Sequence, residues 1–451
     1  MPDHLFATYF NTTHTVYQSS APGRIDVMGG IADYSGSMVL QMPIREKTTV
    51  QLALRDDDKL NIKSLQSNGE VLACSVAYHS LLKNGREVDY AFARKELATT
   101  ENGRWAGYII GCFLVVQKEK NIQITGADIF IHTEVPLGKG VSSSAALEVA
   151  VLKAIAQAYQ IEFGKTELPL LAQKAENLVV GAPCGLMDQL ACYLGESGKL
   201  LPILCQPDIV YEPLPIPENI FFIGIDSGIR HSVGAASYSQ VRTAAFMGYA
   251  MIAREVGVMP KELEQAKLNS TRKGLPFDGY VANITPSIFE ERFALRLPYK
   301  MHGKYFKQHQ FIHLDTATEV LDDKFYAILD CTRHPVYENF RVHTFSVLLH
   351  YLSVVTNPLH RKQCLQQLGE LMYQSHTGYS VCGLGDDHTD ELVESVRQHQ
   401  HQGVYGAKIT GGGSGGTVCI LCEGEEGLQT ARKIHRQYQE KYNKEVTFFE
   451  P

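Results

Sequence analysis

Little in this sequence points to a membrane, an export leader or a disulfide framework. Every long apolar stretch is broken by charge or glycine well before the ~20 residues that a membrane span needs. The opening MPDHLFATYF has no basic region followed by an apolar run, so no secretory signal is expected. Ten cysteines are scattered through 451 residues without framework spacing, which predicts reduced thiols and a cytoplasmic location. Basic residues are in deficit, and a net charge of −7 argues against nucleic acid as the default partner. Internal repeats and low-complexity tracts are lacking too. What remains is an ordinary globular composition, 44% hydrophobic and 20% charged, on a chain long enough for two or three domains.

Residues 37–54 (SMVLQMPIREKTTVQLAL) alternate β-branched and polar residues and predict a strand; a turn at DDDK and a strand from NIKSL follow. Apolar residues at helical spacing (Trp105, Tyr108, Ile109, Phe113, Val116) predict a helix over 105–120. GADIFIHTEVPLG reads as a strand running into a Pro-Gly loop. Residues 144–159 (SAALEVAVLKAIAQAY) are alanine-rich and apolar nearly all round, which predicts a buried helix, and another is expected over 167–179. The proline-rich run at 207–219 marks the best domain boundary, dividing the chain into 1–210 and 211–451. IFFIGID (220–226) has the signature of a central strand, and VCILCEG and VTFFE predict strands flanking a helix at about 425–442. Residues 257–325 show no clear period and are expected to form an insertion or helical cap on the second domain. Strands and helices alternate irregularly, so the expected class is α+β rather than a regular doubly wound sheet.

Several stretches can carry chemistry. GRIDVMGGIADYSG (23–36) sets Arg24, Asp26 and Asp33 around a Gly-Gly turn. PLGKGVSSSAA (136–146) joins a strand to the buried helix. Its small residues let backbone N–H groups approach a bulky anion, the helix N-terminus adds partial positive charge, and the serines offer hydroxyls to phosphate or magnesium. It lacks the G-x-x-x-x-G-K-[ST] pattern of a P-loop, and a serine-capped helix after a plain loop accounts for the same residues. KITGGGSGGTV (408–418) places five glycines in six positions, a cost in conformational entropy that close packing against a ligand or another backbone would explain. Glu176 and Asp188 flank a Gly-Ala-Pro-Cys-Gly turn; they can serve magnesium and an acceptor hydroxyl, or be surface acids. The C-x-x-C of Cys419 and Cys422 has no second pair and lies on an apolar strand, so neither zinc nor redox work is expected of it. His399 and His401 read as a solvated helix end, and His376, Asp386 and Asp387 receive no chemistry.

APGRIDVMGGIADYSG, PLGKGVSSSAALEVA and KITGGGSGGTV, in this order, resemble the three motifs of the GHMP kinase superfamily. The likeness is nearest to the galactokinase branch and runs through most of the chain, including RWAGY (104–108), AENLVVGAPCGLMDQ (175–189), DSGIRHSVGAASY (226–238) and LMYQSHTGYSVCGLGDDHTDELV (371–393). Within that branch, GRIDVMGGIADYSG, VGAPCGLMDQ and IDSGIRHSVG look most like the kinase portion of L-arabinokinases. The resemblance implies a two-domain GHMP kinase fold, with an N-terminal domain like ribosomal protein S5 domain 2, a ferredoxin-like C-terminal domain and the active site between them. It implies ATP and Mg2+, with the triphosphate at Gly138, Gly140, Ser142, Ser143 and Ser144, magnesium at Ser144 and Glu176, and adenine beside Trp105, the one tryptophan. Gly411, Gly412 and Gly413 belong to the motif that closes over the active site in this family. The catalytic pair maps to Arg24 and Asp188, and Asp33, Gly185 and Tyr238 match positions that touch sugar hydroxyls. The chemistry is consistent with this: a carboxylate can accept the proton of an anomeric hydroxyl as the bond to phosphorus forms, and an arginine keeps it ionised. The arginine also steadies charge on the transferred phosphoryl group.

The first motif departs from galactokinases, which carry Glu-His-x-Asp-Tyr where this chain reads Gly30, Ile31, Ala32, Asp33 and Tyr34. The missing pair serves the sugar's C6 hydroxyl in that family, and burying that hydroxyl without partners costs roughly 1–3 kcal/mol. A pentose such as L-arabinose avoids the cost, so the expected reaction yields β-L-arabinose 1-phosphate and ADP. A galactokinase or galacturonokinase-like enzyme is the alternative, and a catalytically inactive sugar- and ATP-binding regulator is the alternative of another class. Arg24, Glu176 and Asp188 all being present speaks against the regulator.

Overall fold

The computed structural model describes Phe10 and residues 15–66, 69–229 and 234–450. Residues 230–233, in the middle of the DSGIRHSVGAASY tract, lie outside the described residues. Contacts gather the chain into two compact units. One comprises Met1–Arg24, Pro43–Leu137 and Ser142–Leu194; the other comprises Ile25–Met42, Gly138–Val141 and Gly195–Pro451. This division by contacts differs from a single cut near 210, because the chain passes between the units inside strands and inside the serine loop.

The first unit is built on β1 (Val16–Met28, which continues into the second unit), the later part of β2 (Met38–Leu54), β3 (Lys59–Leu65), β4 (Val71–Ala77) and β5 (Ala127–Thr133). β1 pairs with β2, and the remaining strand order is β4-β3-β5-β2. β3 and β5 are parallel from Leu60↔Ala127, while β2 runs antiparallel to β5 from Thr48↔Thr133. Helix α1 (Gly103–Lys120) and helix α2 (Ser143–Tyr159) supply the apolar layer. In α2 the residues from Ala145 to Leu152 are all buried, as an apolar pattern on every face demands. The helix expected over 167–179 is an α-helix only from Glu167 to Lys174; a wider π turn, Ala175–Val180, follows and carries Glu176. Helix α3 (Met187–Leu194) begins one residue before Asp188.

In the second unit, β6 (Lys199–Leu204) pairs antiparallel with residues 38–41 of β2. A separate four-stranded sheet contains β7 (Ile220–Asp226), β8 (Val404–Ile409), β9 (Thr417–Glu423) and β10 (Phe448–Phe449), in the order β8-β9-β7-β10 and antiparallel throughout. Ile223, Ile225, Val404, Val418 and Ile420 of this sheet pack with Val393, Val396 and Ile434 from covering helices. Val393 and Val396 belong to the helix Asp387–Gln398 and Ile434 to α7 (Gly424–Tyr442), and the unit also holds α4 (Gly234–Glu255), α5 (Ile328–Val354) and α6 (Pro358–Cys382). Residues 257–325 lack a period because they are built from short pieces: helices at Pro260–Leu268 and Gly303–Gln308, single turns, and a two-residue antiparallel pairing of Met301–His302 with Phe325–Tyr326. They are no loose appendage. Leu263, Val281, Ile284, Phe289, Phe293 and Phe306 share a core with α4 and with Ile31 and Tyr34 of the first motif. No helix among the described residues is long and apolar enough to cross a membrane.

Candidate active site

In the first unit two residues from distant parts of the chain converge on the carboxylate of Asp188. The Arg24 guanidinium is buried, and its Nε and Nη2 donate to Asp188 Oδ1 at 3.0 and 2.8 Å. The other oxygen, Oδ2, accepts from Ser142 Oγ at 2.6 Å. About a quarter of the Asp188 side chain remains exposed (28%), so the carboxylate is held from two sides and still reachable. Gly185 is half-buried just ahead of α3.

The serine loop does not cap its helix with a serine side chain at Ser142. Gly138 and Gly140 have φ of 70° and 73°, backbone that glycine adopts at little cost. Ser142 takes the N-cap position of α2 with φ of 59°, but its side chain makes no cap bond, because its hydroxyl is committed to Asp188. The first N–H groups of a 17-residue helix are thus left without a side-chain acceptor, the arrangement that favours an anion. Ser143 and Ser144 are half-buried in its first turn. Lys139, between the two glycines, is ion-paired with Asp226 at 2.7 Å.

Behind the loop lies a group of buried acids. Glu176 is hydrogen-bonded to Ser144 and Glu148, and its Oε2 accepts from Gln189 Nε2 at 2.8 Å. Burial, with the charge of Asp188 adding to it, pushes the Glu176 carboxyl up to about 7. Glu148 is raised as well, again by burial first and then by Glu176, and its Oε1 is buried without a hydrogen-bond partner. Sequence reasoning passed over Glu148. The signal was present: it is the lone acid inside a helix otherwise apolar on every face, four residues after Ser144 and so on the same side. Trp105 is half-buried in the first turn of α1 rather than enclosed in a core.

The second unit holds the remaining candidates. Asp33 lies in the 3-10 turn Gly30–Ser35, all six residues of which are buried. Tyr238 on α4 is half-buried and meets the ring of Tyr34 edge-on at 5.7 Å. The carboxylate of Asp26 is internal: Oδ2 pairs with Lys408 Nζ at 2.6 Å, and Oδ1 accepts from Gln41 Nε2 at 2.7 Å and from the Gly30 N–H at 3.0 Å. Lys408, which opens the third motif, is therefore a buried counter-ion. Gly411, Gly412 and Gly413 form the turn after β8, and the protein itself explains at least one of them. A Cβ on Gly413 would come within 2.8 Å of Leu384 and 2.9 Å of Tyr379. The bland part of the first motif also reads differently in three dimensions. Ile31 points into the second unit's core, and a Cβ on Gly30 would overlap the Tyr379 hydroxyl. Neither simply lines an empty pocket.

Cys419 and Cys422 are buried on β9, three residues apart and hence on opposite faces of the strand. His399 follows the last residue of its helix and His401 is exposed. Among the described residues, no group of three or more His, Cys, Asp or Glu is arranged to hold a metal ion.

Comparison with known proteins fits this geometry. Residues 107–196 match the GHMP kinases N terminal domain, 356–444 the GHMP kinases C terminal domain, and 4–54 the galactokinase galactose-binding signature. L-arabinokinase of Arabidopsis thaliana is 40% identical over 94% of this chain, which spans only 44% of that protein's length. Galactokinase of Chloroflexus aggregans is 29% identical over 93% of this chain and 87% of its own. The crystal structure of Lactococcus lactis galactokinase complexed with galactose superposes with a TM-score of 0.70 at 22% identity, covering 99% of this chain and 96% of that one. The chain belongs to the GHMP kinases and, within them, is similar to the galactokinases and L-arabinokinase.

Proposed function

We propose that this chain is an ATP-dependent sugar-1-kinase that phosphorylates the anomeric hydroxyl of L-arabinose, giving β-L-arabinose 1-phosphate and ADP. The observation that carries the proposal is the Asp188 carboxylate, oriented by Arg24 and Ser142 yet partly exposed. An acceptor hydroxyl within hydrogen-bond reach can pass its proton to Asp188 as its oxygen attacks the γ-phosphorus of ATP. Arg24 fixes the carboxylate and supplies positive charge where charge builds on the phosphoryl group. In a loose transition state most of the acceleration comes from this positioning and these charges. Gly138, Gly140 and the uncapped start of α2 at Ser142, Ser143 and Ser144 suit the triphosphate, and Trp105, Gly411, Gly412 and Gly413 are assigned to the nucleotide. Gly185, Asp33 and Tyr238 are assigned to the ring hydroxyls.

The donor set fits a hard divalent cation: Glu176 with the Ser144 hydroxyl beside it, and Glu148 with an oxygen that no protein group satisfies. Magnesium, which takes few protein ligands and completes its shell with phosphate and water, would be held by Ser144 and Glu176 and would neutralise charge on the phosphates. The residues then do the remaining work. Ser142 and Arg24 hold the base, and buried Gln189 keeps Glu176 turned toward Ser144.

The choice of a pentose rests on the first motif, where no side chain at Gly30 or Ile31 offers a polar group to a sixth carbon. The similarity to galactokinases sustains the hexose alternative. We place this activity in the cytoplasm and assign 1–210 and 211–451 to the two GHMP domains. A coupled ADP assay across arabinose, galactose, galacturonate, glucuronate and fucose tests the proposal. Arabinose is expected to give the highest kcat/KM; faster turnover of galactose would overturn the pentose assignment.

A further inference from the structure

Three consecutive N–H groups at the head of the first motif each end on a different buried side chain. Gly29 donates to Glu338 Oε1 of α5 at 3.1 Å, Gly30 to Asp26 Oδ1 of β1 at 3.0 Å, and Ile31 to the Tyr379 hydroxyl of α6 at 3.1 Å. The acceptors are themselves anchored. Glu338 also accepts from Ser375 at 2.6 Å and Arg341 at 2.7 Å, and Asp26 is paired with Lys408. Tyr379 is fully buried, and its hydroxyl donates onward to the Gly411 carbonyl at 2.8 Å. One oxygen atom thus ties the turn that carries Asp33 to the glycine-rich turn after β8.

The same oxygen occupies side-chain space. Gly30 has φ of 38°, and a Cβ there would overlap the Tyr379 hydroxyl and come within 2.9 Å of Asp26 Oδ2. What residue 30 can be is decided by what stands at 379.

We propose that Tyr379 is the positioning and specificity-determining residue of the sugar loop: its hydroxyl fills the place of a side chain at residue 30 and so fixes Gly30–Ser35, with Asp33, for a sugar that needs no polar group there. The proposal rests on the sugar-kinase reading above. Phe at 379 would keep the ring and leave the Ile31 N–H and the Gly411 carbonyl without their shared partner. Glu at residue 30 would meet both an unfavourable backbone and the tyrosine; only the second obstacle can be lifted at 379.

The test compares kinetics on arabinose and galactose for the wild type, Tyr379→Phe, Gly30→Glu and the double variant Gly30→Glu/Tyr379→Leu. Tyr249→Phe is the control, since that hydroxyl also donates to a backbone carbonyl of this unit, Pro276 at 3.0 Å. Tyr379→Phe should raise the KM for the preferred sugar roughly fivefold while kcat stays within about twofold, and Tyr249→Phe should leave KM unchanged. Gly30→Glu should lose about a hundredfold or more in kcat/KM, and Tyr379→Leu in the same chain should recover about tenfold of it. The recovered enzyme should also show a higher galactose-to-arabinose ratio than the wild type. An unchanged KM in Tyr379→Phe, full activity in Gly30→Glu alone, or no recovery in the double variant would overturn the proposal. A wild-type preference for galactose would sink the pentose reading alone, because the KM effect and the recovery are read on whichever sugar is preferred.

Discussion

Two buried polar centres in this molecule obey opposite rules. In the first unit Glu148 and Glu176 lie side by side with Gln189 and no lysine or arginine among their recorded partners, and both carboxyls are driven upward, Glu176 to about 7. In the second unit each acid has its cation: Asp26 with Lys408, Glu338 with Arg341. Burial alone would raise Glu338, but Arg341 and His334 outweigh it and hold the carboxyl down at about 2. The nearby imidazoles of His334 and His376 are pushed to about 4, chiefly by burial; at His334 the Glu338 charge opposes the shift, and at His376 Lys408 and Arg397 add to it. A centre whose charges are met is a scaffold, and it fixes the head of the first motif. A centre whose buried acids have no cation and hold their protons instead is where the proposed magnesium would be received.

Substitutions can break this contrast. The largest effect is expected at the proposed base: Asp188→Ala should lower kcat by about 10²–10⁴ while nucleotide binding, followed with a fluorescent ATP analogue, is retained. Retained turnover would overturn the proposal that Asp188 is the base. Next comes the scaffold. Lys408→Met strands Asp26 as a buried unpaired charge and should cost about 3–5 kcal/mol in urea unfolding; adding Asp26→Asn should restore part of it.

The third effect separates the two centres by pH. Folded Glu176 keeps its proton to about pH 7, whereas the unfolded chain releases it near 4.5. The folded state therefore binds more protons between these values, and wild-type stability falls as pH rises through that window. Glu176→Gln lacks this penalty. In magnesium-free buffer its stability relative to wild type should grow by up to about 3 kcal/mol from pH 4.5 to pH 7 and then level off. Glu338→Gln should do the reverse. The depressed carboxyl contributes stability above pH 4.5 that is lost as pH falls toward 2, so that variant should be weakest relative to wild type near neutrality. Parallel pH curves for the two variants would erase the distinction. The smallest effect is expected from Ser142→Ala, which removes one of the bonds orienting Asp188 and should lower kcat roughly fivefold.

The elements were legible because their periods are strong. The strand at 38–54, the helix at 143–159 and the strand–helix–strand close of the chain all fall where apolar spacing puts them. Residues 257–325 were not, since single turns have no period, and their contribution to the core depends on Ile31 and Tyr34, over two hundred positions away in the sequence. In the site, the residue types were readable but their partners were not. Nothing local says that Ser142 turns to Asp188 instead of capping its helix, or that Lys408 is consumed by Asp26. Such choices are made by long-range packing, and only Glu148, a lone acid in an apolar helix, left a local mark.

The overlap between Gly30 and Tyr379 has a historical consequence. Two positions that cannot both be large impose an order on change. A lineage that gains a side chain at residue 30 must first shrink residue 379, and one that acquires the tyrosine must already have emptied residue 30. Sugar preference in this branch would then shift through an intermediate with neither group, a loop held less firmly on either substrate, and relatives that combine a large residue 30 with a tyrosine at 379 should not be found.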